Sequence, residues 1–184
     1  EAEFVAKEIV EKLRAYESPN YRDFVILYRT NVQSRLFEEV FLRYGLPYKI
    51  VGGIRFYERK EIKDIMAYLR LIQNPNYNVS LLRVINTPAR KIGTKTIEIL
   101  QQYSIQHKIS LFQVMERMDI SGNLPDAKVE ALKKFVELIR DLQGINKKFP
   151  VSGLIKHVLD ATEYKKMIDD NTVEGNARLE NIYE

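Results

Sequence analysis

An α/β unit followed by an all-α part is the fold class this sequence predicts, and three observations carry the prediction. Phe24-Val-Ile-Leu-Tyr28 is an unbroken apolar run too short for a helix, which reads as a strand covered on both faces, as in a parallel sheet. Tyr48 to Val51 is a second short, β-prone run, and an amphipathic helical stretch lies between the two, so strand-helix-strand with a right-handed crossover is the natural connection. After Asn74-Pro75-Asn76 every periodic stretch is helical, which places an α/β unit at residues 1–78 and a helical subdomain at residues 79–184.

Each element has its own justification. Val5, Ile9 and Leu13 stand at helical spacing with Ala2, Ala6 and Val10 beside them, and Ser18-Pro19-Asn20 ends that helix. In the helix after the first strand, Leu36, Val40 and Tyr44 form one stripe with Phe37 and Phe41 alongside, and Gly45 with Pro47 stops it. Gly52-Gly53 then permits a tight turn or a close backbone approach. From Lys60, the residues Ile62, Ile65, Met66, Leu69 and Ile72 mark another helix. Shorter helices are expected at Val79 to Ile85, Thr94 to Tyr103 and Ser110 to Met118, with Gly122-Asn123-Leu124-Pro125 as the following loop. Val129, Leu132, Val136, Ile139 and Leu142 predict a longer helix, Val151, Leu154, Ile155, Val158 and Leu159 another, and the tail after Thr162 is helical to the end.

Composition bounds the function. The chain has 184 residues, 45% hydrophobic and 29% charged, as in a globular protein, and no apolar run approaches the ~20 residues of a membrane span. With no such run, no signal-peptide core and no cysteine, a cytoplasmic location is expected. Net charge is +4 and the pI about 9.1, compatible with a polyanionic partner. The charge is evenly spread, 13 basic and 11 acidic residues up to Asn78 against 16 and 14 beyond it, so a nucleic-acid site must come from local placement. The sequence has no GxxxxGK[ST] phosphate loop, no acidic strand end of the DExx kind and no nucleophile constellation, so this polypeptide alone should not hydrolyse ATP. His107 and His157 stand singly without metal-ligand spacing and read as ordinary surface or packing groups.

The segments LYRTNVQSRLFEE, GLPYKIVGGIRFYERKEIKDIMAYLRLI and VINTPARKIGTKTI resemble the second half of UvrD-like superfamily 1 DNA helicases. The resemblance implies a fragment of an ATP-dependent 3′–5′ helicase: an incomplete RecA-like parallel-sheet unit (2A-like) running into its helical insertion (2B-like). It implies that ATP and Mg²⁺ serve the intact enzyme with no cofactor in this chain, and that the partners are single-stranded DNA, duplex DNA and the rest of the motor. A sheet with only two strands would leave apolar surface open to self-association. A helicase-nuclease sharing these strings, and a non-catalytic helical interaction module, are the alternative readings.

By the same resemblance, Arg29, Asn31 and Arg55 fall at strand ends and line a single-stranded DNA channel, where an arginine suits a phosphate and an amide suits phosphate or base. The local alternative pairs Arg29 with Glu38 or Glu39, makes Asn31 a helix cap, and makes Arg55 a surface arginine beside a plain turn. Phe56 and Tyr57 are expected to pack in the core in preference to stacking on bases. Arg90, Lys91, Ile92, Gly93, Thr94, Lys95 and Thr96 resemble a glycine-isoleucine-glycine loop that grips duplex DNA, with Gly93 turning the chain and Thr94 opening a helix whose free N–H groups face a phosphate. Lys91 departs from that pattern by replacing its first glycine, and a simple helix cap is the other reading of the loop.

Overall fold

A computed structural model describes residues 1–15, 17, 20–30, 33–117 and 122–183. The predicted site residue Asn31, the end at Met118 of one expected helix, and Ser18-Pro19 of the first helix stop lie outside the described residues. The chain divides into two compact units, Glu1–Ile62 and Lys63–Tyr183, and each is described by itself.

In the first unit α1 (Ala2–Ala15) packs against α2 (Ser34–Tyr44). Ala2, Ala6 and Ile9 supply one side of the core, and Val40, Phe41 and Leu46 the other. Phe41 meets Phe37 edge-on at 6.2 Å and Tyr48 at 6.0 Å between centroids. Helix α2 ends where expected: Gly45 takes the left-handed conformation at φ 67°, its N–H bonds Leu42 O, and the Leu46 N–H reaches back to Phe41 O at 2.8 Å.

The α/β expectation is overturned. Among the described residues there is no strand, and the architecture is all-α. Residues 24–28 and 46–51 are irregular segments laid over the two helices, with Phe24, Ile26 and Tyr48 half-buried against the core. Val25 is 79% and Leu27 90% exposed, so only one face of the first run is covered. An apolar run encodes a tendency to be extended, but a strand also needs a neighbour's N–H and C=O groups in register, and among the described residues no such ladder forms. A RecA-like sheet is therefore not what these residues build. The expected stripe on α2 is corrected too. Leu36 is 63% exposed and Tyr44 also faces out, while Ser34 and Glu38 are buried in their place.

The second unit is a helical assembly of α3 (Lys60–Gln73, which begins just before the unit), α4 (Asn78–Val84), α5 (Thr94–His107), α6 (Leu111–Arg117), α7 (Asp126–Asn146), α8 (Val151–Ala161), α9 (Tyr164–Ile168) and α10 (Val173–Tyr183). Here the 3.6-residue period places much of the core: of the expected stripes Ile65, Ile72, Leu132, Ile139, Leu142, Leu154, Val158 and Leu159 are buried, whereas Met66 and Val151 are exposed and Leu71 and Phe135, outside those stripes, are buried. Polar ties fix the packing. Asn78 on α4 accepts from the Leu111 N–H at the start of α6, and Gln143 of α7 donates to Ile72 O near the end of α3. Buried Asp64 accepts from the Tyr164 hydroxyl at 2.8 Å and from Arg83 Nε at 2.8 Å. No described helix is long and apolar enough to cross a membrane.

Candidate nucleic-acid interface

In the first unit the candidate residues stand on two segments that flank α2. The turn before it is organised by Gln33, whose side-chain oxygen accepts from the backbone N–H groups of Arg29 (2.9 Å) and Thr30 (3.2 Å). The Arg29 side chain is exposed, and among the described residues it has no ion-pair partner. Glu38 and Glu39, the carboxylates that could have taken it, are engaged elsewhere. Glu39 bonds Arg35 Nε at 2.8 Å. Glu38 is buried at 3% exposure and accepts from Ser34 Oγ (3.0 Å), the Tyr48 hydroxyl (3.3 Å) and the Phe56 N–H, which reaches both carboxylate oxygens at 3.2 Å.

That carboxylate holds the second segment. Gly52 turns the chain at φ 76°, a left-handed conformation that glycine takes without cost, and the exposed Arg55 follows. Its guanidinium lies 5.3 Å from the Tyr48 ring centroid and 3.9 Å from Glu58, a loose pair on the surface. Phe56 is buried beneath, as expected of it, with Arg35 at 4.8 Å and Arg59 at 5.3 Å from its ring centroid. Tyr57, expected in the core with it, is instead half exposed and within reach of Glu39. Burial pushes the Tyr48 phenol up from its ordinary value, the Glu38 charge adds to the effect, and Arg55 opposes it.

In the second unit, the loop between α4 and α5 separates its candidate residues into two groups. Arg90 points inward: its guanidinium donates to Val84 O (3.0 Å), Pro88 O (3.1 Å), Ile85 O (3.4 Å) and the Tyr68 hydroxyl (2.8 Å), and lies 5.4 Å from the Phe135 ring centroid. Val84 O and Ile85 O stand at the C-terminus of α4, where a cation meets the negative end of the helix dipole, and Val84 O accepts from the Thr87 N–H as well. Asn86 closes the turn by accepting from the Arg90 and Ile92 N–H groups at 2.7 and 3.3 Å. Ile92 and Thr96 are buried.

Lys91, Gly93, Thr94 and Lys95 are exposed. Lys91 sits in the left-handed region at φ 61°, and its carbonyl accepts from Lys128 Nζ, which brings a further cation to the loop. Gly93 precedes α5 with φ −87° and ψ 176°, an extended conformation open to any residue, and a Cβ there would meet nothing within 4 Å. The fold itself does not require this glycine. Helix α5 opens without a side-chain cap, the first backbone bonds to it being Thr96 and Ile97 N–H to Gly93 O. The Thr94 and Lys95 N–H groups therefore lack an acceptor among the described residues and lie beside two exposed lysines.

Sequence reading named Glu38 only as a possible partner of Arg29 and missed its burial as the acceptor that ties α2 to Tyr48 and Phe56. Its signal was an acid standing between Phe37 and Phe41 on the apolar side of α2, with a hydroxyl four residues earlier at Ser34. Among the described residues no group of three His, Cys, Asp or Glu side chains could hold a metal ion.

Residues 1–123 match the family model of the UvrD-like helicase C-terminal domain. The chain is 42% identical to the ATP-dependent DNA helicase PcrA of Staphylococcus aureus (strain Mu50 / ATCC 700699) over 185 aligned residues, covering 100% of this chain and 25% of that protein. It is 40% identical to the ATP-dependent DNA helicase PcrA of Staphylococcus epidermidis (strain ATCC 12228 / FDA PCI 1200), with the same coverage. The chain thus spans about a quarter of the length of these relatives.

Proposed function

The chain belongs to the UvrD-like helicase family, within its C-terminal domain, and from that premise we propose that it is part of an ATP-dependent DNA helicase that moves 3′ to 5′ on single strands. Its share of the work is grip. The first unit supplies one wall of the single-stranded DNA channel through Arg29, Asn31 and Arg55, and the second supplies a duplex-contacting arm through Lys91, Gly93, Thr94 and Lys95. The division of these roles at residues 1–78 and 79–184 is the one read from the sequence, whereas the compact units divide at Ile62 and Lys63. The partners are single-stranded and duplex DNA together with the remainder of the motor.

The observation that supports this reading best is the state of the two arginines. Arg29 has no carboxylate among the described residues, Arg55 has only a loose one, and the acids that could neutralise them are turned to other donors. A cation left exposed beside engaged acids suits a phosphate brought from outside, and contacts of that kind carry little base preference. ATP and magnesium are assigned to other parts of the intact protein, because the sequence has no phosphate loop and no DExx strand end.

The test uses the full-length protein. Arg29→Ala and Arg55→Ala should each make the dependence of single-strand affinity on salt shallower by roughly 0.7 in log–log slope, the value for one lost phosphate contact. Unchanged slopes in both variants would sink the channel assignment.

A further inference from the structure

We propose that Glu38 is the positioning residue for Arg55: its buried carboxylate fastens the turn at residues 52–56 to α2 and so sets where the arginine meets a DNA phosphate. This rests on the reading that Arg55 touches single-stranded DNA.

Glu38 reaches Arg55 by two routes. One runs through the backbone, since the Phe56 N–H, next in the chain, is bonded to both carboxylate oxygens at 3.2 Å. The other runs through Tyr48, whose hydroxyl lies 3.3 Å from Glu38 Oε2 and whose ring supports the Arg55 guanidinium at 5.3 Å. A third tie steadies the carboxylate itself: Arg59 Nη2 donates to Ser34 Oγ at 3.3 Å, and Ser34 donates to Glu38 Oε1 at 3.0 Å. A surface arginine on a glycine turn would otherwise sample many directions, and holding it in one lowers the ordering cost when a phosphate arrives.

The chemistry asks for a carboxylate at this place. Three donors converge on it, and a carboxylate is acceptor-only, with lone pairs for all of them. An amide of the same shape would turn an NH₂ toward donors and could accept at one oxygen only. Glu38→Gln therefore loosens the turn with little change of volume. Tyr48→Phe cuts the second route alone and keeps the ring beneath Arg55.

The experiment is a cycle in the full-length protein, reading single-strand Kd against salt for the parent, Glu38→Gln, Arg55→Ala and the double variant. A single phosphate contact with a slope of about 0.7 is worth about fivefold in affinity per decade of salt. Glu38→Gln is expected to lose most of that fivefold, Tyr48→Phe a smaller part, and neither should lose anything further once Arg55 is alanine. As a direct reading of the clamp, the Tyr48 phenol, followed by tyrosine-selective NMR, should titrate lower in Glu38→Gln, because a charge that raises it has gone.

Additive losses for Glu38→Gln and Arg55→Ala would overturn the positioning role while leaving Arg55 as a DNA contact. So would a Glu38→Gln variant that is less stable yet binds with the parent's slope. An unchanged slope for Arg55→Ala alone would overturn the underlying reading instead. Should Glu38→Gln fail to fold, Tyr48→Phe decides by the same cycle: its loss must vanish when Arg55 is alanine.

Discussion

The turn at residues 52–56 and the loop at residues 86–95 both carry a glycine and an arginine, and they use them in opposite ways. In the first, an acid is the anchor: Glu38 is buried, gathers donors, and leaves Arg55 on the surface. In the second, an arginine is the anchor: Arg90 turns inward onto three carbonyls and a phenol, and the exposed charge is left to Lys91 and Lys95. The residue type does not decide whether a cation presents itself or fastens the fold. What decides is the chemistry of the neighbours, because acceptors, three carbonyls and a phenol oxygen, surround Arg90 whereas donors surround Glu38.

The largest expected effect tests that contrast directly. Arg90→Ala removes every one of those bonds and leaves part-buried carbonyls and the Tyr68 hydroxyl short of a donor, at a cost of roughly 2–3 kcal/mol. Arg55→Ala should cost less than about 0.5 kcal/mol, as exposed residues with loose ion pairs do. Urea unfolding of both variants measures the difference, and equal costs would erase the distinction between anchor and presenter.

Next in size is Gly93→Val. The backbone angles and open space at Gly93 accept a side chain, so circular dichroism and thermal unfolding should match the parent. Duplex affinity should fall about tenfold, close to 1.4 kcal/mol, if the Thr94 and Lys95 N–H groups meet a phosphate that a branched side chain would block. Single-strand affinity should barely change. Parental duplex binding by this variant would reduce the loop to a helix start.

Smallest is Lys91→Gly. Relief of the left-handed backbone at φ 61° should stabilise the chain by about 0.5–1 kcal/mol, net of glycine's greater freedom when unfolded. Loss of one charge should make the duplex salt slope shallower by about 0.9 if that lysine touches phosphate. Stability that falls would mean Lys91 has a packing role its exposure does not show.

Much of the helical part was legible because burial there follows the 3.6-residue period, as Leu132, Ile139 and Leu142 on α7 show. The α/β reading failed at Phe24–Tyr28 and Tyr48–Val51 because hydrophobicity reports a preference for cover, while a ladder depends on partners distant in the chain. On α2 the face was misread because burial went to Ser34 and Glu38, polar groups made tolerable by each other, Tyr48 and Phe56. Lys91 and Gly93 were picked out by resemblance to a glycine-isoleucine-glycine loop. Arg90 was not distinguishable from them, since its partners Tyr68 and Phe135 come from helices on either side in the chain.

The bond between Asp64 and Tyr164 joins residues 100 apart, whereas the Glu38 anchor closes on Tyr48 and Phe56, 10 and 18 residues away. At synthesis rates of roughly 5–20 residues per second, the anchor's partners emerge within a few seconds of it. Asp64 waits on the order of 5–20 s for Tyr164, while Arg83, 19 residues on, is made much sooner. The helical unit can begin to form early on a ribosome, but its buried acid gains the Tyr164 bond only once the first residue of α9 has been made.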